Sequence, residues 1–271
     1  MKKYLAIIAC LGITEVGLVV YLSFWRKIFW NYVAAKDLPN FLLYLGIFTL
    51  AAVSLCIIVA TANYFITKTA ILWRKKLNSK AHILKHSEIE NINQRIQEDC
   101  SKYPDLALTV MVGISKAFLY IIVFTGLLTY EFNYVYTIII FIYGIIATVI
   151  ARVIGGPLLG LNYKLQQSEA TYRNKLTAHT FKNCLTAQLN VAKCIRKLQY
   201  FQSLYGQLGV VIPLLIIAPA YFSSDMLIGS LMQASYIMGV ILDYLSYGIN
   251  NFDMMNKLLT SRKRLKEIKI I

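Results

Sequence analysis

Residues 94–128 read QRIQEDCSKYPDLALTVMVGISKAFLYIIVFTGLL, a polar cluster followed directly by a long apolar run. The cluster is Gln94–Asp99, and the run extends from Leu106 to Leu128. A helix rises about 1.5 Å per residue, so this run is long enough to cross the roughly 30 Å hydrocarbon core of a bilayer. The stretch therefore predicts a membrane-spanning helix whose polar end lies at a membrane surface.

Five further apolar runs of comparable length fill most of the 271 residues. The chain is 58% hydrophobic and 15% charged, whereas soluble domains average about 45–50% and about 25%. Because lipid offers no hydrogen-bond partners, the backbone amides of these runs must pair within helices. We predict an all-α, polytopic membrane protein that forms a single transmembrane domain over residues 1–271. Its six transmembrane helices are predicted at about 4–24, 40–66, 105–129, 133–158, 204–222 and 231–255.

The net charge of +15 is distributed unevenly between the two sides of the predicted membrane. The outer connections are predicted at about 25–39, 129–133 and 222–230. If the N-terminus is cytosolic, these connections hold only Arg26, Lys27 and Lys36 of the 28 Lys and Arg residues. Positive residues concentrate on the cytosolic side of membrane proteins, so we expect both termini to be cytosolic. The basic charge then predicts contact with the anionic headgroups of the lipid bilayer and not with nucleic acid.

The outer connections are short, whereas the predicted cytosolic segments 68–103 and 159–203 are long and contain few helix breakers. Membrane helices that continue far into the cytosol are the outline of an exporter-type ABC transmembrane domain. This expectation rests on analogy of architecture.

No phosphate-binding or metal-binding motif stands out in the sequence. It contains no G-x-x-x-x-G-K-[ST] pattern, so we expect no ATP hydrolysis by that mechanism and no enzymatic activity. His82 and His86 have the i,i+4 spacing of a metal-binding pair, but they lack the H-E-x-x-H arrangement and a nearby third ligand. We expect neither a metal nor a cofactor.

Three ionisable residues, Glu15, Lys116 and Asp243, interrupt the predicted spans. Placing such a side chain inside the membrane costs at least about 2.5–3.5 kcal/mol, so its presence indicates a structural or functional role. Counted from the outer helix ends, all three lie about 15–21 Å below the outer surface. They either form a buried charge pair that holds the bundle together or line a wet cavity in which they titrate. We predict that Glu15 or Asp243 pairs with Lys116.

The sixth predicted span carries a stripe of polar residues. Asp243, Tyr247 and Asn250 follow each other at i, i+4 and i+7, which places them on one helix face. Together with Lys116, these residues are candidates for lining a cavity, and the Tyr and Asn side chains would suit a peptide backbone.

Both cytosolic mouths of the predicted bundle carry acidic residues at helical spacing from a basic one. Glu98 precedes Lys102 by four residues, and Glu169 precedes Arg173 by four. Such pairs stabilise a solvated helix by only about 0.2–0.5 kcal/mol each. They are either ordinary surface pairs or part of a charged gate.

Several segments in the same order resemble the SbmA/BacA peptide-uptake family, which is related to exporter-type ABC transmembrane domains. The most specific is Asn93–Asp99, which resembles the family's QR-x-QED signature, followed by Gln166–Arg173. The remaining ones are Ile13–Gly17, Trp73-Arg74, Gly229–Gln233 and Lys263–Leu265. The resemblance covers almost the whole chain, as a short form without the family's extra N-terminal helices.

The resemblance implies a homodimeric importer of the bacterial inner membrane that takes up peptides, antimicrobial ones included, using the proton gradient. Glu15, Glu98 and Glu169 stand at family glutamate positions and would carry protons. Two positions depart from the pattern, because Leu108 and Thr180 occur where the family has further acids.

The sequence thus predicts a proton-coupled importer of peptides or peptide-like antibiotics. Two alternatives stay open. One is the transmembrane subunit of an ABC transporter whose ATPase is a separate chain. The other is a degenerate relative that acts only as a membrane scaffold.

Overall fold

The computed structural model describes residues 1–83 and 92–267, with side chains except at 81–83, 92–96, 159 and 267. Every regular element in this part of the chain is a helix, which confirms the all-α prediction. Six helical stretches are long and apolar enough to cross a membrane: α1, α2, α3, α4 with its continuation α5, α6, and α7. The helices are α1 (Lys2–Ala34), α2 (Leu38–Ile83), α3 (Ile92–Glu131), α4 (Tyr134–Gly155), α5 (Leu158–Lys175), α6 (Ala178–Ser223), α7 (Ile228–Leu245), α8 (Tyr247–Asn250) and α9 (Phe252–Glu267).

The first outer connection is shorter than the sequence predicts, because α1 continues to Ala34. Aromatic contacts support the added turns: Trp25 stacks on Phe29, and its indole N–H donates to the Tyr44 carbonyl at 2.8 Å. Asp37 then caps α2 by accepting a hydrogen bond from the Asn40 amide at 3.2 Å. The long apolar hairpin is therefore closed by three residues, 35–37, and not by the predicted 25–39.

Helices α1, α3 and α7 form the centre of the bundle, around a core that includes Phe124, Ile237 and Ile241, all fully buried. Polar contacts fix their outer ends. Lys27 on α1 forms an ion pair with Glu131 on α3 at 3.0 Å. Helix α2 lies against α1 and α3, and α4 and α6 lie beside α7. Helix α5 folds against the part of α6 that precedes its predicted span.

The sixth predicted span, 231–255, is not one continuous helix. Helix α7 ends at Leu245, the single turn α8 follows, and α9 begins at Phe252. At the first break, the Ser246 hydroxyl donates to the Leu242 carbonyl at 2.7 Å; at the second, the Asn251 amide donates to the Tyr247 carbonyl at 2.9 Å. Such side-chain bonds to the backbone compete with continued helix. Helix α9 packs along the cytosolic end of α3, which itself runs unbroken through the buried Pro104.

The close packing of α8 on α3 depends on Gly113. A Cβ atom at this position would overlap the Tyr247 ring. We expect Gly113→Ala to destabilise the protein by about 1–3 kcal/mol, because a packed interface gains volume. The measurement is the temperature at which detergent-solubilised protein loses its monodisperse elution peak.

Gly126 supplies the matched control on the same helix, because no described atom lies within 4 Å of a Cβ added there. Gly126→Ala should stabilise the protein by about 0.5–1 kcal/mol, the usual helical preference for alanine over glycine. Equal melting temperatures for the two variants would show that the Tyr247 contact does not constrain α3.

Candidate functional site

The central charged cluster joins α1 and α3 inside the membrane-spanning bundle. Lys116 Nζ lies 2.5 Å from Glu15 Oε2, and the Tyr120 hydroxyl lies 3.5 Å from Glu15 Oε1. Only 7% of the Glu15 surface is exposed, and Tyr120 is buried at 2%. Of the two predicted partners of Lys116, Glu15 forms the ion pair.

Helix α7 closes this cluster with an aromatic ring. Tyr244 stacks on Tyr120 with ring centroids 4.0 Å apart. Asp243, the residue before Tyr244, is exposed. Lys116 forms its ion pair with Glu15 and not with Asp243. Consecutive residues on a helix point about 100° apart, so Asp243 points away from the direction in which Tyr244 meets Tyr120. Asp243 therefore lies at membrane depth on the outside of the single chain.

The structure separates the predicted polar stripe of the sixth span. Asp243 belongs to α7, whereas Tyr247 and Asn250 belong to α8 beyond the break at Ser246. Tyr247 packs against Gly113, and Asn250 is exposed. The three residues consequently do not line one continuous helix face.

At the first cytosolic mouth, the buried acid is Asp99 and not Glu98. Glu98 lies 3.4 Å from Lys102, and both side chains are largely solvated, at 44% and 64% exposure. Asp99 is only 3% exposed and accepts a hydrogen bond from Ser261 of α9 at 3.2 Å. Arg264, also on α9, adds a favourable charge near the Asp99 carboxylate. Side chains of Gln94 and Arg95 lie outside the described residues.

The two positions that depart from the resemblance have structural roles. Leu108 is buried in the bundle at 2% exposure, where an acid would lack solvation. Thr180 forms a capping box with Thr177 at the start of α6. At the position where the SbmA/BacA pattern has an acid, this chain thus has a hydroxyl that takes part in capping the helix N–H groups.

The predicted proton-pathway glutamates lie on separate elements. Glu15 lies in the central cluster, whereas Glu98 precedes Lys116 by about 27 Å along α3 at the usual helical rise. Glu169 is exposed on α5, and it forms no ion pair with Arg173 within the described part of the chain. The structure thus does not bring these three glutamates together within one chain.

The partners that hold these charges are not evident in the sequence. Tyr120, Tyr244 and Ser261 escape prediction, since a tyrosine in a span or a serine in a basic tail carries no distinctive spacing. Among the described residues, no group of three His, Cys, Asp or Glu is placed to hold a metal ion. His82 and His86 lie outside the described side chains. The site is a charged and aromatic junction of three helices, suited to holding the bundle or to facing a wet cavity.

Comparison with known proteins places this architecture among the membrane parts of ABC transporters. Residues 2–179 match the family described as ABC transporter transmembrane region 2. An uncharacterised ABC transporter ATP-binding protein of Synechocystis is 28% identical over 93% of this chain and 43% of its own length. The inner membrane ABC transporter ATP-binding protein YddA of Escherichia coli is 24% identical, over 95% of this chain and 54% of its own. ABC transporter D family member 2 of Arabidopsis thaliana, chloroplastic, is 22% identical, over 97% and 42% respectively.

The fold and the matches define a polytopic transporter-type membrane protein. The chain belongs to the ABC transporter transmembrane region 2 family, whose match covers more than half of its residues. It spans about half the length of the curated relatives that it matches. The matches support the exporter-type ABC prediction, and they do not show membership of the SbmA/BacA family.

We expect Lys116→Met to leave Glu15 as an unpaired carboxylate inside the bundle. Breaking a buried pair in this way costs about 3–5 kcal/mol. The double variant Glu15→Gln, Lys116→Met should recover most of that loss, because no isolated charge remains. Melting temperatures of the purified variants measure both effects.

The control for charge removal alone is Lys102→Met, whose pair with Glu98 is solvated. Its effect should stay below about 1 kcal/mol. If Lys116→Met and Lys102→Met have the same melting temperature, the central ion pair does not stabilise the bundle.

We expect Ser261→Ala to loosen α9 from α3, because the buried Asp99 loses its hydrogen-bond donor. An unsatisfied buried group costs about 1–3 kcal/mol. Amide hydrogen exchange within α9 should become faster, while exchange in α1 stays unchanged. Ser79→Ala is the control, since the Ser79 hydroxyl is solvated and bonds a carbonyl of its own helix. Unchanged hydrogen exchange of α9 in Ser261→Ala would show that the Asp99–Ser261 hydrogen bond does not hold α9 on α3.

Proposed function

We propose that this chain is the transmembrane part of an ABC transporter and works with an ATP-binding partner outside these 271 residues. One observation carries the proposal. Relatives named as ATP-binding proteins align with nearly all of this chain but with only 43% and 54% of their own lengths. These 271 residues contain no phosphate-binding loop pattern. ATP hydrolysis is therefore assigned to the partner and substrate passage to this chain.

Two copies form the working transporter in the bacterial inner membrane, with their termini in the cytosol. The exposed Asp243 supports this assembly, because a carboxylate at membrane depth faces protein or water and not lipid. A second copy would enclose a cavity on that side of α7. The distribution of Lys and Arg supports the orientation.

A stripe of exposed apolar residues on cytosolic α6 supports contact with a protein partner. Phe181, Leu185 and Leu189 are spaced four residues apart and are 51%, 44% and 52% exposed. Apolar stripes left open on a solvated helix mark interaction surfaces. The capped hairpin of α5 and α6 presents this stripe away from the central bundle, where an ATP-binding partner can reach it.

Proton-coupled import of peptides is the second candidate, favoured by the resemblance of Asn93–Asp99 and by the solvated Glu98 and Glu169. Leu108 and Thr180 weaken it, since both have structural roles in place of acids. In either candidate, peptides or peptide-like compounds are the proposed substrates, and Lys116, Asp243, Tyr247 and Asn250 are the candidate cavity residues.

Reconstitution into vesicles separates these functions. Uptake of a labelled proline-rich peptide should require ATP and a co-purified ATP-binding chain, and it should not follow an imposed pH gradient alone. Uptake driven by the pH gradient without ATP, and lost in Glu98→Gln, would favour proton coupling instead. Folded protein that supports neither would leave a membrane scaffold.

We expect Leu185→Glu to lower the membrane part's stimulation of partner ATPase activity several-fold, because it places a charge in the apolar stripe. Asn183→Glu is the matched control, since it adds the same charge at an exposed position on the opposite side of α6 from the stripe. ATP hydrolysis by the reconstituted complex measures both. Equal stimulation in the two variants would place the partner contact elsewhere.

A further inference from the structure

A groove of about 670 Å³ lies between the cytosolic end of α4 and the passing helix α6. Its chemistry changes along its length. Val153, Ile154 and Leu204 line an apolar part, and Arg196 and Lys197 line a basic part, with the Tyr200 ring at the same wall. Val153 and Tyr200 are each 73% exposed, so both walls of the groove are open.

The groove forms where the chain passes from α4 to α5 beside the uninterrupted α6. Helix α4 ends at Gly155, and α5 begins at Leu158 after Gly156 and Pro157. Helix α6 passes the same level without interruption. Ala151 and Leu198 still hold α4 and α6 together in a small buried cluster behind the groove.

The groove lies at the boundary between membrane and cytosol. The fourth predicted span ends near residue 158, and the fifth begins near Leu204. Arg196 and Lys197 precede Leu204 by about 10–12 Å along the helix, which brings their long side chains to headgroup level. Leu204 lies on the membrane side of them, whereas Ile154 lies level with Cys194, whose thiol donates to the Ile154 carbonyl at 3.6 Å.

We propose that this groove binds an anionic phospholipid, with the phosphate-bearing headgroup held by Arg196 and Lys197. The acyl chains lie along exposed apolar side chains that continue from the groove into the membrane. On α4 these are Val149 and Ile146, and on α6 they are Leu208 and Val211.

Charge complementarity selects an anionic headgroup over a neutral one. No acidic residue lines the groove within the described part of the chain, so its two cations face no competing carboxylate. Arg152, exposed on α4 beside Val153, adds a third positive charge at the same level. Basic pockets between membrane helices on the cytosolic side are typical sites for anionic headgroups. A neutral headgroup carries its own ammonium and gains less from this surface.

A tryptophan reporter tests the proposal. Tyr200→Trp places an indole in the groove, and its signal is the difference in fluorescence from the parent protein. The protein is reconstituted with brominated phosphatidylglycerol or brominated phosphatidylcholine, which quench an indole that they touch. We expect phosphatidylglycerol to quench at several-fold lower mole fraction, about fivefold for each basic side chain that engages the headgroup.

The lipid preference is the ratio of the mole fractions of phosphatidylcholine and phosphatidylglycerol that quench the indole equally. In the reporter protein, the double variant Arg196→Gln, Lys197→Gln should reduce this ratio to about one. The matched control, Arg262→Gln with Lys263→Gln, removes equal charge from exposed positions on α9 and should retain it. Arg196→Lys keeps the charge and should also retain it, which separates headgroup binding from damage to the fold.

Three results would overturn the proposal. The two lipids could quench equally in the reporter protein. The α9 control could lose the preference as fully as the groove variant, which would indicate a general surface potential. Neither lipid could quench, which would indicate that a second copy of the chain covers the groove.

Discussion

The ion pair between Glu15 and Lys116 fixes how α1 and α3 meet, and the rest of the bundle follows from that alignment. Sliding one helix by a turn would separate the two charges by about 5.4 Å in a medium that solvates neither. With α3 held in this register, Tyr120 meets Tyr244 of α7 and Gly113 meets Tyr247 of α8. These contact residues recur at three- and four-residue spacing along one face of α3. Helix α3 therefore contacts both the neighbouring transmembrane helices and the helices α8 and α9 that follow α7.

The number of spans and the continuation of helices beyond the apolar runs were predictable, because both follow from composition and run length. The break after Leu245 was not, since Ser246 and Asn251 are tolerated within apolar helices, and the same bond to the carbonyl four residues back occurs at Ser54 and Thr69 inside the unbroken α2. The sequence predicted that Lys116 forms an ion pair with one of two acids, Glu15 or Asp243. Choosing between them required the rotation of α7, which depends on its packing against α1 and α3. Glu98 and Asp99 are adjacent acids, and only the placement of α9 distinguishes the solvated one from the buried one.

Leu108 and Thr180, the two positions that depart from the SbmA/BacA pattern, both have structural roles in this fold. At the first position, an apolar side chain joins the core; at the second, a hydroxyl caps a helix. Each residue suits its local surroundings. The fold therefore accommodates an apolar core residue at position 108 and a helix-capping hydroxyl at position 180.

The contacts of α9 determine which transmembrane helix it follows. Backbone hydrogen bonds continue across the two breaks beside α8, from the Ser246 amide to the Leu242 carbonyl and from the Asn251 amide to the Tyr247 carbonyl, at 3.0 Å each. Helix α9 is held to α3 by the Asp99–Ser261 bond and by the fully buried Leu265. Helix α9 is thereby mechanically part of the third span, although it follows the sixth in sequence. A tilt of α3 would therefore carry α9 along with it.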